Sequence, residues 1–166
     1  PNGLIYQGSR GTISGFTIVN GNSSQNAVIR LLNGWSLTLK NCILRRDDNP
    51  MASHGVWSYD TCHLTLDGCR CEGVWTVGYF TGYSGTIVVK HSSLLDSSVH
   101  TYPGDWNRLT LWDSYFCGNA VPSQSYNDDG DNFFAEECDC DNNGTYDFDT
   151  LIKGTDIDCN DNFIPD

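Results

Sequence analysis

Apolar residues along this chain come in short alternating bursts. Leu37-Thr38-Leu39, Leu64-Thr65-Leu66, Ile87-Val88-Val89 and Leu109-Thr110-Leu111 are the clearest. Successive strand side chains point to opposite sides, so each burst turns its first and third residues one way and Thr38, Thr65, Val88 or Thr110 the other. No i, i+3, i+4, i+7 stripe runs beyond two turns, which argues against long helices. Each burst leads into the same six-residue pattern: apolar, any, turn former, mostly small, any, apolar. Its copies are Leu39–Leu44, Leu66–Cys71, Val89–Leu94 and Leu111–Phe116, and Ile13–Ile18 is a fifth. Their first residues are 26, 27, 23 and 22 positions apart.

A turn former held in register over such a period predicts an all-β chain: a right-handed parallel β-helix of about five coils over residues 1–121. Ile13, Leu39, Leu66, Val89 and Leu111 form its inward ladder, and Gly15, Asn41, Gly68, His91 and Asp113 its corner ladder. Most of these corner residues tolerate a left-handed backbone. An antiparallel sandwich also uses short strands at regular spacing, but gives the recurring turn former no role. Over roughly residues 5–118 the pattern resembles the β-helix repeat proteins of the pectin-lyase-like superfamily. The likeness lies in coil pattern rather than in a sequence motif.

Charge divides the chain. Residues 1–118 hold eight acids and eight bases, whereas residues 119–166 hold thirteen acids and only Lys153, which accounts for the net −12. A surface so acidic disfavours nucleic acid and anionic membrane as partners. No apolar run approaches the ~18 residues that cross a bilayer, so membrane insertion is not expected. The chain starts at Pro1 with no signal peptide, and is expected to be a mature or excised piece of something longer. Eight cysteines point to disulfides and an oxidising, extracellular or cell-surface location. The Cys69-Arg70-Cys71 and Cys138-Asp139-Cys140 pairs lack the CxxC spacing of zinc knuckles. Cys42 and Cys69, one layer apart, are expected to pair with each other, and Cys140 with Cys159.

The acidic end, residues 122–166, contains two EF-hand-like loops. A calcium loop draws oxygens from positions 1, 3, 5, 7, 9 and 12 around a glycine at 6. Asp139, Asp141, Asn143, Gly144, the Thr145 carbonyl and Asp147 fill positions 1, 3, 5, 6, 7 and 9. Thr150 stands at position 12, where Asp149 beside it is the substitute acid. A second loop offers Asp158, Asn160, Asn162, the Ile164 carbonyl and Asp166, with Phe163 at the glycine position. Phe148–Lys153 suits one or two helical turns ended by Gly154. Residues 138–166 resemble the dockerin-like or thrombospondin-type-3-like calcium repeats of large secreted bacterial proteins. Asp158-Cys159-Asn160 and Ile164-Pro165-Asp166 match that pattern, while Tyr146, Thr150 and Phe163 depart from it. The resemblance implies calcium as the bound ion; the competing reading is a solvated acidic linker.

Candidate catalytic groups are sparse. The outward strand ladder lacks proton-transfer groups, and Lys40, Asp67 and Lys90 with Arg45 and Arg70 suit an exposed salt-bridge ladder. Five tryptophans and eight tyrosines could stack on sugar rings or cover the loops and helix ends. The expected function is an extracellular, calcium-binding structural or adhesive module that associates with itself head to tail, as in a surface layer or filament. The alternative is a polysaccharide-active enzyme, a lyase or glycoside hydrolase, or a carbohydrate-binding fragment of one.

Overall fold

The computed structural model describes residues 4–6, 10–20, 27–31, 34–46, 54–58, 61–74, 76–80, 85–101, 108–118, 126–139 and 144–149. They form three sheets. The first holds β1 (Leu4–Tyr6), β4 (Ala27–Leu31), β7 (His54–Ser58), β10 (Thr76–Phe80) and β13 (Ser98–Thr101). The second holds β2 (Arg10–Ser14), β5 (Ser36–Lys40), β8 (His63–Asp67), β11 (Thr86–Lys90), β14 (Arg108–Trp112) and β16 (Asn127–Asp128). The third holds β3 (Thr17–Asn20), β6 (Ile43–Arg46), β9 (Arg70–Glu72), β12 (Ser93–Leu95), β15 (Tyr115–Cys117) and β17 (Phe133–Ala135). From β1 to β12 each strand pairs with the third strand after it, β14 and β15 then pair with β16 and β17, and every pairing is parallel. An antiparallel sandwich is thereby excluded, because its neighbours would run in opposite directions. The chain visits the three sheets in turn and layers strand on strand, a winding compatible with a β-helix.

The inward ladder packs as its pattern predicts. Leu39, Leu66, Val89 and Leu111 are in register and fully buried, as are Leu37, Leu64, Ile87 and Leu109 two residues earlier. Leu44, Cys71, Leu94 and Phe116 of the third sheet close the same core. Each such aliphatic or aromatic side chain contributes about 1.5–3 kcal/mol by leaving water. On the other side of the second sheet, Thr38, Thr65, Val88 and Thr110 make a half-buried outward column.

The corner residues explain the recurring turn former. Gly15, Asn41, Gly68, His91 and Asp113 all have positive φ, between 44° and 74°, a region costly for most side chains. Four of the corner N–H groups donate to a carbonyl of the next layer: Gly15 to Lys40 (3.0 Å), Asn41 to Asp67 (2.9 Å), Gly68 to Lys90 (3.1 Å) and His91 to Trp112 (3.0 Å). Gly68 is also sterically constrained, since a Cβ there would lie 2.5 Å from Asn41 Oδ1. A second corner, formed by Gly73, Asp96 and Gly118, repeats the device at φ 60°, 48° and 61°.

One expectation is overturned just past the first corner. Cys42 and Cys69 are not joined. They begin an internal polar ladder that continues through Ser92 and Ser114. Cys42 Sγ donates to Ile13 O (3.4 Å), and Cys69 Sγ to Leu39 O (3.2 Å). Ser92 Oγ accepts the Cys69 N–H and donates to Lys90 O, while Ser114 Oγ accepts the Ser92 N–H and donates to Trp112 O. Stacked residues in a parallel sheet hold their Cβ atoms about one strand spacing apart, ~4.8 Å, beyond the ~3.5–4.5 Å a disulfide prefers. Burial pushes the Cys69 thiol up and the Cys71 thiol well up, so both stay protonated. The expected Cys140–Cys159 pair lies outside the described residues.

Candidate functional site

The acidic segment is tied to the third sheet. Leu95, Tyr115, Cys117, Phe133 and Ala135 form an outward cluster that Cys138, Tyr146 and Phe148 pack against. Tyr115 stacks on Phe133 at 5.4 Å between centroids and on Phe148 at 4.7 Å. A disulfide joins Cys117 to Cys138 with Cα atoms 5.0 Å apart. Closing a loop of 21 residues in the unfolded chain would by itself favour folding by about 3 kcal/mol on the chain-entropy account. Arg70 of β9 completes the attachment. Its guanidinium grips both carboxylate oxygens of Asp149, with Nη2 to Oδ2 at 2.7 Å, bonds Glu72 through Nε, and lies 6.0 Å from the Tyr146 ring centroid. Burial alone would lower the Arg70 pKa, but the hydrogen bonds to Asp149 and Glu72 outweigh it and the guanidinium is held above its ordinary value. Tyr146 is raised by burial first, then by the nearby charges of Asp96 and Glu72.

Within this docked segment the first loop can be followed in part. Asp139 Oδ2 accepts the Gly144 N–H at 2.9 Å, and Gly144 has φ +82° with open space where a Cβ would sit. That is the sharp turn a calcium loop requires at its sixth position. Asp147 is 1% exposed, the one buried carboxylate among the described residues, and its N–H donates to Cys138 O at 2.9 Å. Thr145 is half-buried. Asp149 occupies a short helical turn over residues 147–149, and its carboxylate faces Arg70. Asp141, Asn143, Asp158, Asn160, Asn162, Ile164 and Asp166 lie outside the described residues. Among the described residues no group of three or more His, Cys, Asp or Glu side chains converges as a metal site. Of the residues expected at the loop, Asp139, Asp147 and Asp149 carry carboxylates and Thr145 a carbonyl, hard oxygens of the kind that calcium takes.

Beside the loop lies a cleft of about 440 Å³ lined by Asp96, Gly118, Glu136, Glu137, Cys138, Asp139 and Tyr146. Sequence reasoning missed it, because Asp96 reaches the tail only through the second corner. The step from Gly73 to Asp96 to Gly118, 23 and then 22 residues, repeats that of the first corner and could have revealed it.

The first corner carries a separate polar ladder. Lys90 Nζ is 3.3 Å from Asp67, and the exposed His91 ring lies between Asp67 (3.1 Å) and Asp113 (3.9 Å). The hydrogen bond from His91 lowers the Asp67 pKa; burial opposes this, and Lys90 adds to the lowering. Arg70, expected on this ladder, turns instead to Glu72 and Asp149. A second cleft of about 480 Å³ follows the corner, with Tyr115, Phe133 and Phe148 beside His91, Asp113 and Asp131. Trp112 is half-exposed on the outward face of β14, whereas the side chains of Trp57 and Trp75 are outside the described set. Among the described residues no helix is long and apolar enough to cross a membrane. No protein-family model matches the chain, and neither a curated protein nor a solved structure is found to be similar to it.

Proposed function

We propose that the chain is an extracellular, calcium-binding structural or adhesive module built on a right-handed parallel β-helix of about five coils. Handedness is supported by the parallel pairing throughout, because crossovers between parallel strands are almost always right-handed. The observation that carries the calcium reading is the closed Asp139–Gly144 turn in a segment anchored by a disulfide and an ion pair. Asp139, Asp141, Asn143, the Thr145 carbonyl and Asp147 would hold the ion, with the second loop supplying Asp158, Asn160, Asn162, Ile164 and Asp166. Asp149 contributes by fixing the loop to β9. Bound calcium supplies positive charge that offsets mutual repulsion among these acids.

Head-to-tail association fits the same reading. β2 and β3 are the terminal strands of their sheets, Phe16 at the bend between them is 62% exposed, and a contact of this kind propagates rather than closes. The second reading, a carbohydrate-active or carbohydrate-binding protein, is favoured by one observation: the corner cleft sets aromatic rings beside Asp113 and Asp131.

Calorimetric titration with calcium, followed by sedimentation with and without the ion, tests the proposal. Expected are binding in the ~0.1–1 mM range common to extracellular modules, slower amide exchange at Gly144 and Asp147, and a larger species in calcium. Absence of heat and of any exchange change at millimolar calcium would reject the calcium role; a monodisperse monomer would reject the filament. Cleavage products from a polysaccharide panel would favour the alternative.

A further inference from the structure

The two ends of the stack are built differently. At the β2–β3 end the inward Ile13 and Ile18 are only half-buried, whereas Leu39 and Leu44 one layer in are buried. Phe16 is 62%, Val19 42% and Ile43 39% exposed at the same end. Four large hydrophobics are exposed among the described residues, and only Trp112 lies elsewhere. Bases surround them. Residues 1–46 hold five bases and no acid, and Arg10, Lys40 and Arg45 are exposed. Arg45 is the register partner of Val19, and Glu72 on its other side is bonded to Arg70.

The last coil has the opposite charge. Asp128, Asp129, Asp131, Glu136 and Glu137 are exposed there, and no base occurs between Arg108 and Lys153. Its two sheets end in different ways. β16 is two residues long, and Asp128, the register partner of Leu111, sets an acid in the inward column, where Asn132 bonds it. Short strands and inward charges of this kind block further pairing. β17 instead carries Phe134 in its inward column, stacked on Phe116 at 5.2 Å between centroids and itself half-buried. The third sheet is therefore the one open to pairing at both ends.

We infer that β3 of one copy pairs in parallel with β17 of the next, an inference that rests on the head-to-tail association proposed above. Displacement along the stack keeps strand direction, so the register of the third sheet carries across: Thr17 meets Phe133, Ile18 meets Phe134 and Val19 meets Ala135. Ile18 and Phe134, the half-buried inward residues of the two ends, then cover each other, and Phe16 leaves water against the last coil. Glu136 follows Ala135 directly, and Arg45 lies one layer beyond Val19. Their backbones then stand about two strand spacings apart, ~10 Å, a gap that two long side chains close. Charge also sets the order of assembly. Two basic ends repel, as do two acidic ends, whereas a basic end attracts an acidic one.

Sedimentation of the full chain in millimolar calcium, alone and as Arg45→Glu or Glu136→Arg, tests the pairing. Each variant by itself sets like charges across the contact and should weaken association at least about tenfold. An equimolar mixture of the two should restore it, because Glu at 45 then faces Arg at 136 while the parent pair forms at the alternate contacts. Two chains that had failed to fold could not restore one another. Placement is read directly from the chain carrying p-benzoylphenylalanine in place of Phe16. It should crosslink to residues 131–137 of a second chain, with a yield that rises with concentration. A parent that associates while neither variant weakens it, or a mixture no larger than its components, overturns the pairing and leaves self-association standing. A crosslink within one chain, or to another segment, also overturns the pairing. A parent that stays monomeric removes both readings.

Discussion

Replacing Arg70 with Met should loosen the docked tail without unfolding the sheets. Arg70 and Asp149 side chains are 24% and 23% exposed, and the guanidinium grips both carboxylate oxygens. At an effective dielectric near 20 such a pair is attracted by about 4 kcal/mol at most. Desolvation removes part of that, and fully exposed pairs retain only ~0.2–1 kcal/mol. A partly exposed bidentate pair lies between these limits, at about 2 kcal/mol. Met keeps the aliphatic volume, so the loss is chiefly electrostatic; Glu72 and Asp149 are left facing each other. The expected effect is an increase of about 30-fold in tail opening. Hydrogen exchange at the Asp147 and Asp149 amides, bonded to Cys138 O and Tyr146 O, reports it directly. Amides of β8 and β11 should not change, and Cys117–Cys138 keeps the opened tail attached. Asp149→Asn should give a smaller increase, and the double variant should be less than additive. Exchange at both amides within about twofold of the unmodified chain would refute the reasoning, since openings near 2 kcal/mol cannot hide there.

The internal ladder makes a second prediction. Ser92→Ala strands the Cys69 N–H in the core and should cost about 1–3 kcal/mol in denaturant unfolding, whereas Ser92→Cys, which copies Cys42 and Cys69, should cost less. Equal stability of Ser92→Ala and the parent would break the ladder argument. A third concerns pH. The Asp67 pKa is lowered below its ordinary 3.8 by His91, against some opposing burial, so its stabilisation is complete above that value and is lost as pH falls through the lower folded value. Asp67→Asn should therefore be less stable than the parent at neutral pH, with the difference vanishing in strong acid; a difference that grows on acidification would reverse the sign.

What could be read from sequence was what local chemistry constrains. A left-handed corner admits few residue types, so Gly15, Asn41, Gly68, His91 and Asp113 marked the layers before any contact was known. Alternation then fixed which side of each strand faced the core, because a slip of one residue would reverse every side chain. The same signal was present at Gly73, Asp96 and Gly118, where the flanking strands Arg70–Glu72 and Ser93–Leu95 are too short to show a clear alternation.

The disulfide and the tail followed a different logic. Cys42 and Cys69 matched in layer but not in Cβ approach. Cys117 and Cys138 were brought together by an outward aromatic cluster of Tyr115, Phe133 and Phe148, whose members are separated in sequence. Asp149 read as one acid among many, and only the fold placed it against Arg70, 79 residues earlier. The layers and their inward faces follow from local pattern along the chain, because backbone conformation and side-chain alternation act between near neighbours. The tertiary structure alone decided where the acidic segment docks, because that depends on surfaces assembled from strands remote along the chain.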